Sequence, residues 1–469
     1  MHTSRRKNKQ LLVFCLSLLI CAAALIALSL TAFAANEADF VPVLRFIASS
    51  DTHVTGAGDV RTERIGKMIR KTYEIADGDA NYKPLDAVLV VGDLTEDGTP
   101  EQFEAFGQTF DSLLREETKL VAVVAKNHDG YTQDRDVIRT VCAALTGNEA
   151  DFHVVLNGYH FIGISASADK LQHYDLKQLN WLNRQIAAAV KEDANKPVFV
   201  MHHEPTVETT YGSRLFDGWG VPYFGAVLRQ YPQVVEICGH SHYPLSDPRS
   251  VWQGAYTAIN TGAIKNAEFT VDELRSYHPA DYDDIASYWI VEVNAENDLR
   301  LRGMDANAGE VLCDLLIRNP ADPANRDFTP QKRKAASKAP AFAADAALIT
   351  EPTDGGVKVT APLAQSTDGM PVILYRVCAK NARGVPVAKG RTLAQFYRSD
   401  GANEAVLELN NLAEGTYTVL VTAENAYGKQ SMPLQTTVTV AGNKGFDHLL
   451  DLIRQWFADV KDFFVHLFW

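Results

Sequence analysis

The chain is predicted to fold mainly as an α/β layered domain followed by a smaller all-β one. Three observations carry this reading. Up to about residue 305, short apolar runs alternate with segments of helical spacing, the pattern of helices packed on a sheet. From 347 to 440 the apolar positions fall into short β patterns separated by turn residues, the pattern of a sandwich. Most of five polar motifs in the first part stand directly after an apolar run, and the ends of buried strands are where α/β sheets place chemistry.

The elements follow in order. Residues 43–48 (VLRFIA) read as a first strand ending at Asp51-Thr52-His53, and 64–75 has helical spacing. Residues 86–91 (DAVLVV) read as a second strand ending at Gly92-Asp93. Residues 101–114 form a helix whose apolar stripe is Phe103, Phe106, Phe110, Leu113 and Leu114. Residues 120–125 (LVAVVA) make a third strand, ending at Asn127-His128-Asp129. A hairpin is expected around Asn157-Gly158, joining 152–156 to 160–165. A helix over 176–190 precedes the strand 197–201 (PVFVM), which delivers His202 and His203. The strand 234–238 (VVEIC) delivers Gly239-His240-Ser241-His242, and strands at 287–293 and 299–304 close the domain.

The expected boundaries are 1–34 for a signal peptide or N-terminal anchor, 40–318 for the α/β domain, 319–342 for a linker, 343–441 for the β-sandwich and 446–469 for an amphipathic helix. The linker is rich in Pro, Ala, Lys and Arg and lacks an apolar period, so it reads as a solvated crossing. On this division the α/β part is expected to fold and act without the rest. In the sandwich, residues 412–417 (LAEGTY) and 423–428 (AENAYG) resemble the closing strands of a fibronectin type III domain. In the last segment Leu449, Ile453, Trp456, Val460, Phe463 and Leu467 share one face. That face packs on the sandwich, on a neighbouring copy or on a membrane surface.

The N-terminus carries Arg5, Arg6, Lys7 and Lys9, then an apolar run over 11–30 and Ala32-Phe33-Ala34. This is the layout of a secretory signal, or of an anchor if it is not cleaved. Either way the remainder is expected outside the cytoplasm, secreted or at the cell surface. The chain holds 45 basic and 58 acidic residues, and loss of those first four basic residues leaves a net charge of −17. Such a balance excludes non-specific attraction to nucleic acid or to an anionic surface. Cys142, Cys238, Cys313 and Cys378 are few, widely spaced and outside any Cys-x-x-Cys pair, so no disulfide framework is expected.

The five motifs combine carboxylate, imidazole and amide donors, a mixture suited to hard-to-borderline metal ions. Asp51 or Asp93 alone would be as readily a helix N-cap, and His240 and His242 alone could be turn histidines. Taken together and in this order, over about residues 44–305, the motifs resemble the calcineurin-like metallophosphoesterase superfamily. The resemblance implies two packed sheets flanked by helices, with a dinuclear site of manganese, iron or zinc at the strand ends. It implies Asp51, His53 and His242 at the first metal, Asn127, His203 and His240 at the second, and Asp93 bridging both. It implies a metal-activated hydroxide attacking phosphorus, with His128 protonating the leaving alcohol.

The pattern His-x-Pro selects His203, with Pro205, over His202, and an extended strand end sends the two histidines to opposite faces. Lys126 stands where the family has glycine, so its backbone is either ordinary or strained, and its ammonium contacts either phosphate or solvent. Tyr211 and Trp219 either line the substrate mouth or pack. The expected activity is extracytoplasmic hydrolysis of phosphomonoesters or phosphodiesters. The alternative is a non-catalytic surface protein that binds metal or ligand.

Overall fold

The structure, a computed structural model, describes residues 40–167, 173–269, 281–441 and 455–456. The expected N-terminal signal or anchor, and the C-terminal helix apart from Gln455 and Trp456, lie outside these. Among the described residues no helix is long and apolar enough to cross a membrane.

Two six-stranded sheets form the α/β part. The first takes β1 (Pro42–Ser49), β2 (Ala87–Val91) and β3 (Lys119–Val123) from its start, and β10 (Ser287–Asn294), β11 (Leu299–Asp305) and β12 (Val311–Ile317) from its end. The second holds β4 (Phe152–Leu156), β5 (Tyr159–Gly163), β6 (Val198–Met201), β7 (Val234–Cys238), β8 (Val251–Gln253) and β9 (Thr257–Asn260). Their orders are β12-β11-β10-β1-β2-β3 and β4-β5-β6-β7-β9-β8. The centres are parallel, β1 with β2 and β3, and β5 with β6, β7 and β9. The predicted hairpin is β4 and β5, joined at Asn157-Gly158.

Alternation along each strand divides its apolar residues between two cores. Phe46, Ala48, Leu89 and Val91 face the opposing sheet, whereas Ile47, Val88 and Val90 face helices. Phe46, Phe161 and Phe199 meet between the sheets with centroids 4.8–5.3 Å apart. Helices α1 (Val60–Gly78), α2 (Pro100–Leu113) and α3 (Arg135–Thr146) cover the first sheet. Each begins at a residue whose side-chain oxygen accepts a backbone N–H of the first turn, Asp59, Thr99 and Asp134 respectively. Helices α4 (Leu176–Glu192) and α5 (Phe224–Leu228) cover the second, α4 starting with a reciprocal cap between Asp175 and Gln178.

The C-terminal part packs a three-stranded sheet on a four-stranded one. The former is β13 (Ile349–Thr353), β14 (Gly356–Pro362) and β17 (Glu404–Leu409). The latter orders β16 (Pro386–Leu393), β15 (Val372–Lys380), β18 (Gly415–Asn425) and β19 (Leu434–Val440). The Tyr417 hydroxyl donates to the Ala413 carbonyl at 2.8 Å.

The chain over 319–342 is exposed at many positions and buried at others. It winds into α6 (Pro330–Ala336) and docks on the second sheet. Buried Arg333 donates to the carbonyls of Pro248 and Val251, and Arg326 to Thr257 Oγ1 at 3.0 Å and Pro232 O at 2.7 Å. Guanidinium groups satisfied by carbonyls let a polar segment dock without an apolar stripe. The sandwich is also joined to the α/β part by an apolar cluster. Tyr243, Ala267, Phe269 and Ile285 meet Ile373, Leu374, Leu393 and Tyr397 there.

Candidate metal centre

The C-terminal ends of β1, β2, β6 and β7, and the loop after β3, converge on one site. Backbone bonds tie their loops together. Asp51 N donates to Gly92 O, His53 N to Asp93 O and Lys265 N to Asp51 O, each at 3.0 Å, and Gly239 N donates to His203 O at 2.9 Å. Five residues here adopt left-handed backbone, Asp51, His53, Asp93, His240 and His242, with φ between +47° and +69°. Two glycines are required by closeness. A Cβ on Gly92 would lie 2.5 Å from His203 Nδ1, and one on Gly239 would collide with Ser50 and Asp51.

Three overlapping groups offer ligand atoms within 4.8 Å of one another: Asp51, His53 and His242; Asp93, His203 and His240; and His53, Asp93 and His128. Asp93 belongs to two of them. His242 Nε2 lies 3.0 Å from Asp51 Oδ1, His203 Nε2 lies 3.2 Å from Asp93 Oδ2, and Asn127 Nδ2 is 3.2 Å from the same oxygen. His240 Nδ1 is 3.1 Å from His203 Nε2. The site thus brings together all seven residues expected to bind metal, with His128 beside them. Asp93 Oδ1 and Asn127 Oδ1 are buried without a hydrogen-bond partner, and Asp51 Oδ1 and the ring nitrogens of His53 have only charged or ionisable side chains of the cluster beside them. Buried polar atoms are rarely left so, and a cluster of such carboxylate, amide and imidazole atoms fits cations.

Outer contacts set which nitrogen faces inward. His203 Nδ1 donates to Val91 O at 2.8 Å and His242 Nδ1 to Asn266 Oδ1 at 2.9 Å, leaving both Nε2 atoms for the centre. Glu96 reaches His53 Nδ1 at 3.3 Å and is itself held by Lys265 at 3.0 Å and Arg61 at 3.3 Å. Buried Asp129 accepts from Thr95 N, Thr95 Oγ1 and Ala125 N, locking the second motif to the third.

Charges are strongly coupled. Burial opposes ionisation of Asp51, but His242 and His203 outweigh it and hold the carboxyl well below its usual range. Burial likewise disfavours a charged His203, yet Asp93 and Asp51 raise it well above an ordinary histidine. Burial and then His203 push His240 down to about 4. Burial, followed by Asp93, lifts Asp129 to about 6. His128 is lowered, chiefly by burial.

The neighbours of these residues divide clearly. His202 turns away from the centre to Glu236 at 2.9 Å and stacks on Phe224. Lys126 is half-buried with no left-handed φ, so its backbone is ordinary. Tyr211 packs between Arg249 and Tyr243 rather than over the metal ligands. Trp219 sets its ring 5.1 Å from that of His240. Glu204 is buried away from the ligand groups, accepting from Tyr174 at 2.6 Å and facing His173 at 2.7 Å. Asp97 is a turn residue paired with Gln102. Sequence reasoning missed Glu96, Lys265, Asn266 and Tyr131, whose ring lies 4.7 Å from that of His128. Only the polarity of 95–97 and 265–266 could have signalled the first three.

This fold and site define a domain of the metallophosphoesterase type. Residues 44–244 match the family model of the calcineurin-like phosphoesterases, and the chain carries such a domain. A probable cyclic nucleotide phosphodiesterase of Rhodococcus erythropolis is 26% identical over 210 residues, which are 41% of this chain and 63% of that protein. A glycerophosphodiester phosphodiesterase, GpdQ, of Enterobacter lignolyticus is 24% identical over 172 residues, 34% of this chain and 56% of that one. The chain therefore spans under two thirds of the length of either relative. Among solved structures, a purple acid phosphatase from yellow lupin (Lupinus luteus) seeds aligns over 59% of this chain and 53% of its own, at 13% identity and a TM-score of 0.41.

Proposed function

We propose that the protein is an extracytoplasmic, metal-dependent phosphoric ester hydrolase that acts on phosphodiesters. The observation that carries this is the convergence of the group Asp51, His53 and His242 with the group Asp93, His203 and His240, beside unpartnered buried oxygens on Asp93 and Asn127. Asp51, His53 and His242 would hold one cation and Asn127, His203 and His240 a second, with Asp93 between them. When bound, such cations supply Lewis acidity and charge neutralisation at a phosphoryl group.

The chain's own residues do the rest. Val91 O and Asn266 keep Nε2 of His203 and His242 turned to the centre. His128 Nδ1 donates to Glu96 O at 2.7 Å, which leaves Nε2 as the atom that carries a proton to the departing alkoxide. The names of the two relatives favour diesters over monoesters.

The 319–342 segment joins the α/β domain to a sandwich that we read as fibronectin type III-like. The three-plus-four strand grouping supports this, as does Tyr417 bonding back to Ala413 at a corner. The basic residues at 5–9 before the apolar run at 11–30 support export or anchoring. Association with a membrane or cell surface would run through that segment or through 446–469.

The test is hydrolysis of aryl phosphodiesters and monoesters with added Mn²⁺, beside a His128→Ala control. Turnover of diesters is expected, with a loss in the control that grows as the leaving group becomes poorer. Metal binding without turnover of any ester would favour the non-catalytic reading, for which the lysine at position 126 is the departure from the family pattern.

A further inference from the structure

We propose that the C-terminal sandwich is a working part of the metal centre, because it holds the segment that aims His242. The inference rests on the metal-centre reading above and not on hydrolysis.

The path is short. His242 is fixed twice by residues 266–268: its Nδ1 donates to Asn266 Oδ1 at 2.9 Å, and its carbonyl accepts from Glu268 N at 3.0 Å. Two residues before Asn266, the same segment crosses to the first motif, where Ile264 N donates to Ser50 O and Lys265 N to Asp51 O. One residue beyond Glu268 stands Phe269, fully buried. Its ring sits 5.1 Å from that of Tyr397 and 6.4 Å from that of Phe396, both from the sandwich. Tyr243, adjacent to His242, completes the contact from the other side at 6.3 Å. Among the described residues the sandwich supplies Ile373, Leu374, Leu393 and Tyr397 to the cluster that packs on Phe269 and Tyr243, beside Ala267 and Ile285 of the α/β part.

Polar contacts secure the position. Arg398 Nη1 lies 2.6 Å from Asp281 Oδ2, and Ser399 Oγ donates to Asp305 Oδ2 at 3.2 Å. Asn425 Nδ2 donates to Ser337 Oγ and Lys338 O at 2.7 and 2.8 Å, pinning the connecting segment to the sandwich. A ligand's orienting partner matters nearly as much as the ligand, and loosening one costs about 10- to 100-fold in metal affinity. Tyr397 acts one step further out, so the lower end of that range is expected for it.

The experiment compares the full chain with Tyr397→Ala, Phe396→Ala and Tyr397→Phe. Val419→Ala is the control, since Val419 lies in the sandwich's own core and outside the shared cluster. Mn²⁺ titration followed by electron paramagnetic resonance reads site occupancy. Amide hydrogen exchange of metal-free protein reads order at 240–246 and 264–269. Tyr397→Ala should weaken Mn²⁺ binding by about tenfold and speed exchange in both segments. Phe396→Ala, a half-buried and milder site, should do the same to a lesser degree, and Tyr397→Phe, which keeps the ring, should bind Mn²⁺ more tightly than Tyr397→Ala. Val419→Ala should lower the melting temperature with Mn²⁺ affinity unchanged. Parent-like affinity and exchange in both alanine variants would overturn the inference, as would equal losses in Val419→Ala. If the parent binds no Mn²⁺, the metal-centre reading itself fails, and the exchange result still decides the coupling.

Discussion

His128→Ala separates two roles that the geometry allows to this ring. Its Nδ1 is committed to Glu96 O, so a single nitrogen, Nε2, faces the site. His128 belongs to a group with His53 and Asp93 close enough to share an ion, and in the proposed reaction its ring instead protonates the leaving group. As a general acid the ring is worth about two to four orders of magnitude in turnover. At about 1.36 kcal/mol per decade this is roughly 2.7–5.4 kcal/mol of barrier. The loss should be largest for alkyl leaving groups, which depart poorly as alkoxides, and should shrink towards nothing for nitrophenyl esters. The assay is kcat/KM across a series of diesters graded in leaving-group acidity, with metal content measured on the same preparations. The variant should keep its metals and show a steeper dependence on leaving group than the parent. Parallel dependences refute the acid role, and loss of a metal equivalent makes His128 a ligand instead.

Asp93→Ala should lose most of both metals, measured by elemental analysis, because Asp93 is shared by two of the ligand groups; unchanged content would remove its bridging role. His203→Ala should abolish binding of one metal, whereas His202→Ala should bind metal normally but lose about 1–3 kcal/mol of stability, since Glu236 loses one buried partner and keeps Thr206 N and Tyr256; the reverse ranking in metal analysis and thermal melts would show the assignment inverted. Raised His203 contributes stability to metal-free protein that is fully present below pH 6.5 and is lost as pH rises through its higher folded value. A cation must displace that proton, so Mn²⁺ affinity should climb as pH increases above 6.5; a flat titration series would refute this.

Much of the α/β part is legible because its strands are buried on both faces. Runs such as 86–91 and 120–125 have little other use, and their polar ends announce themselves. The ligand residues were readable as side chains, but their arrangement was not. Nothing in an Asp or a His signals left-handed backbone, and only Gly92 hints at it. Helix α3 escaped notice because it buries little more than Ile138 and Cys142, too narrow a stripe to stand out. The docking contacts of the 319–342 segment are hidden in the sequence for a related reason. Its anchors are Arg326 and Arg333, which look solvated until carbonyls receive them. Least legible was the contact of Phe269 with Tyr397, residues 128 positions apart whose meeting no local pattern encodes.

The left-handed backbone at Asp51, His53, Asp93, His240 and His242 sets selection for function against selection for stability. Each such residue costs of order 1 kcal/mol or more, so five together use several kcal/mol of a margin that for most domains is only about 5–15. Glycine would relax every one of these positions and erase a ligand each time. A descendant freed from binding metal would thus gain robustness by the very replacements that end its chemistry. Persistence of aspartate and histidine at all five positions in a lineage would then be a record of continued use.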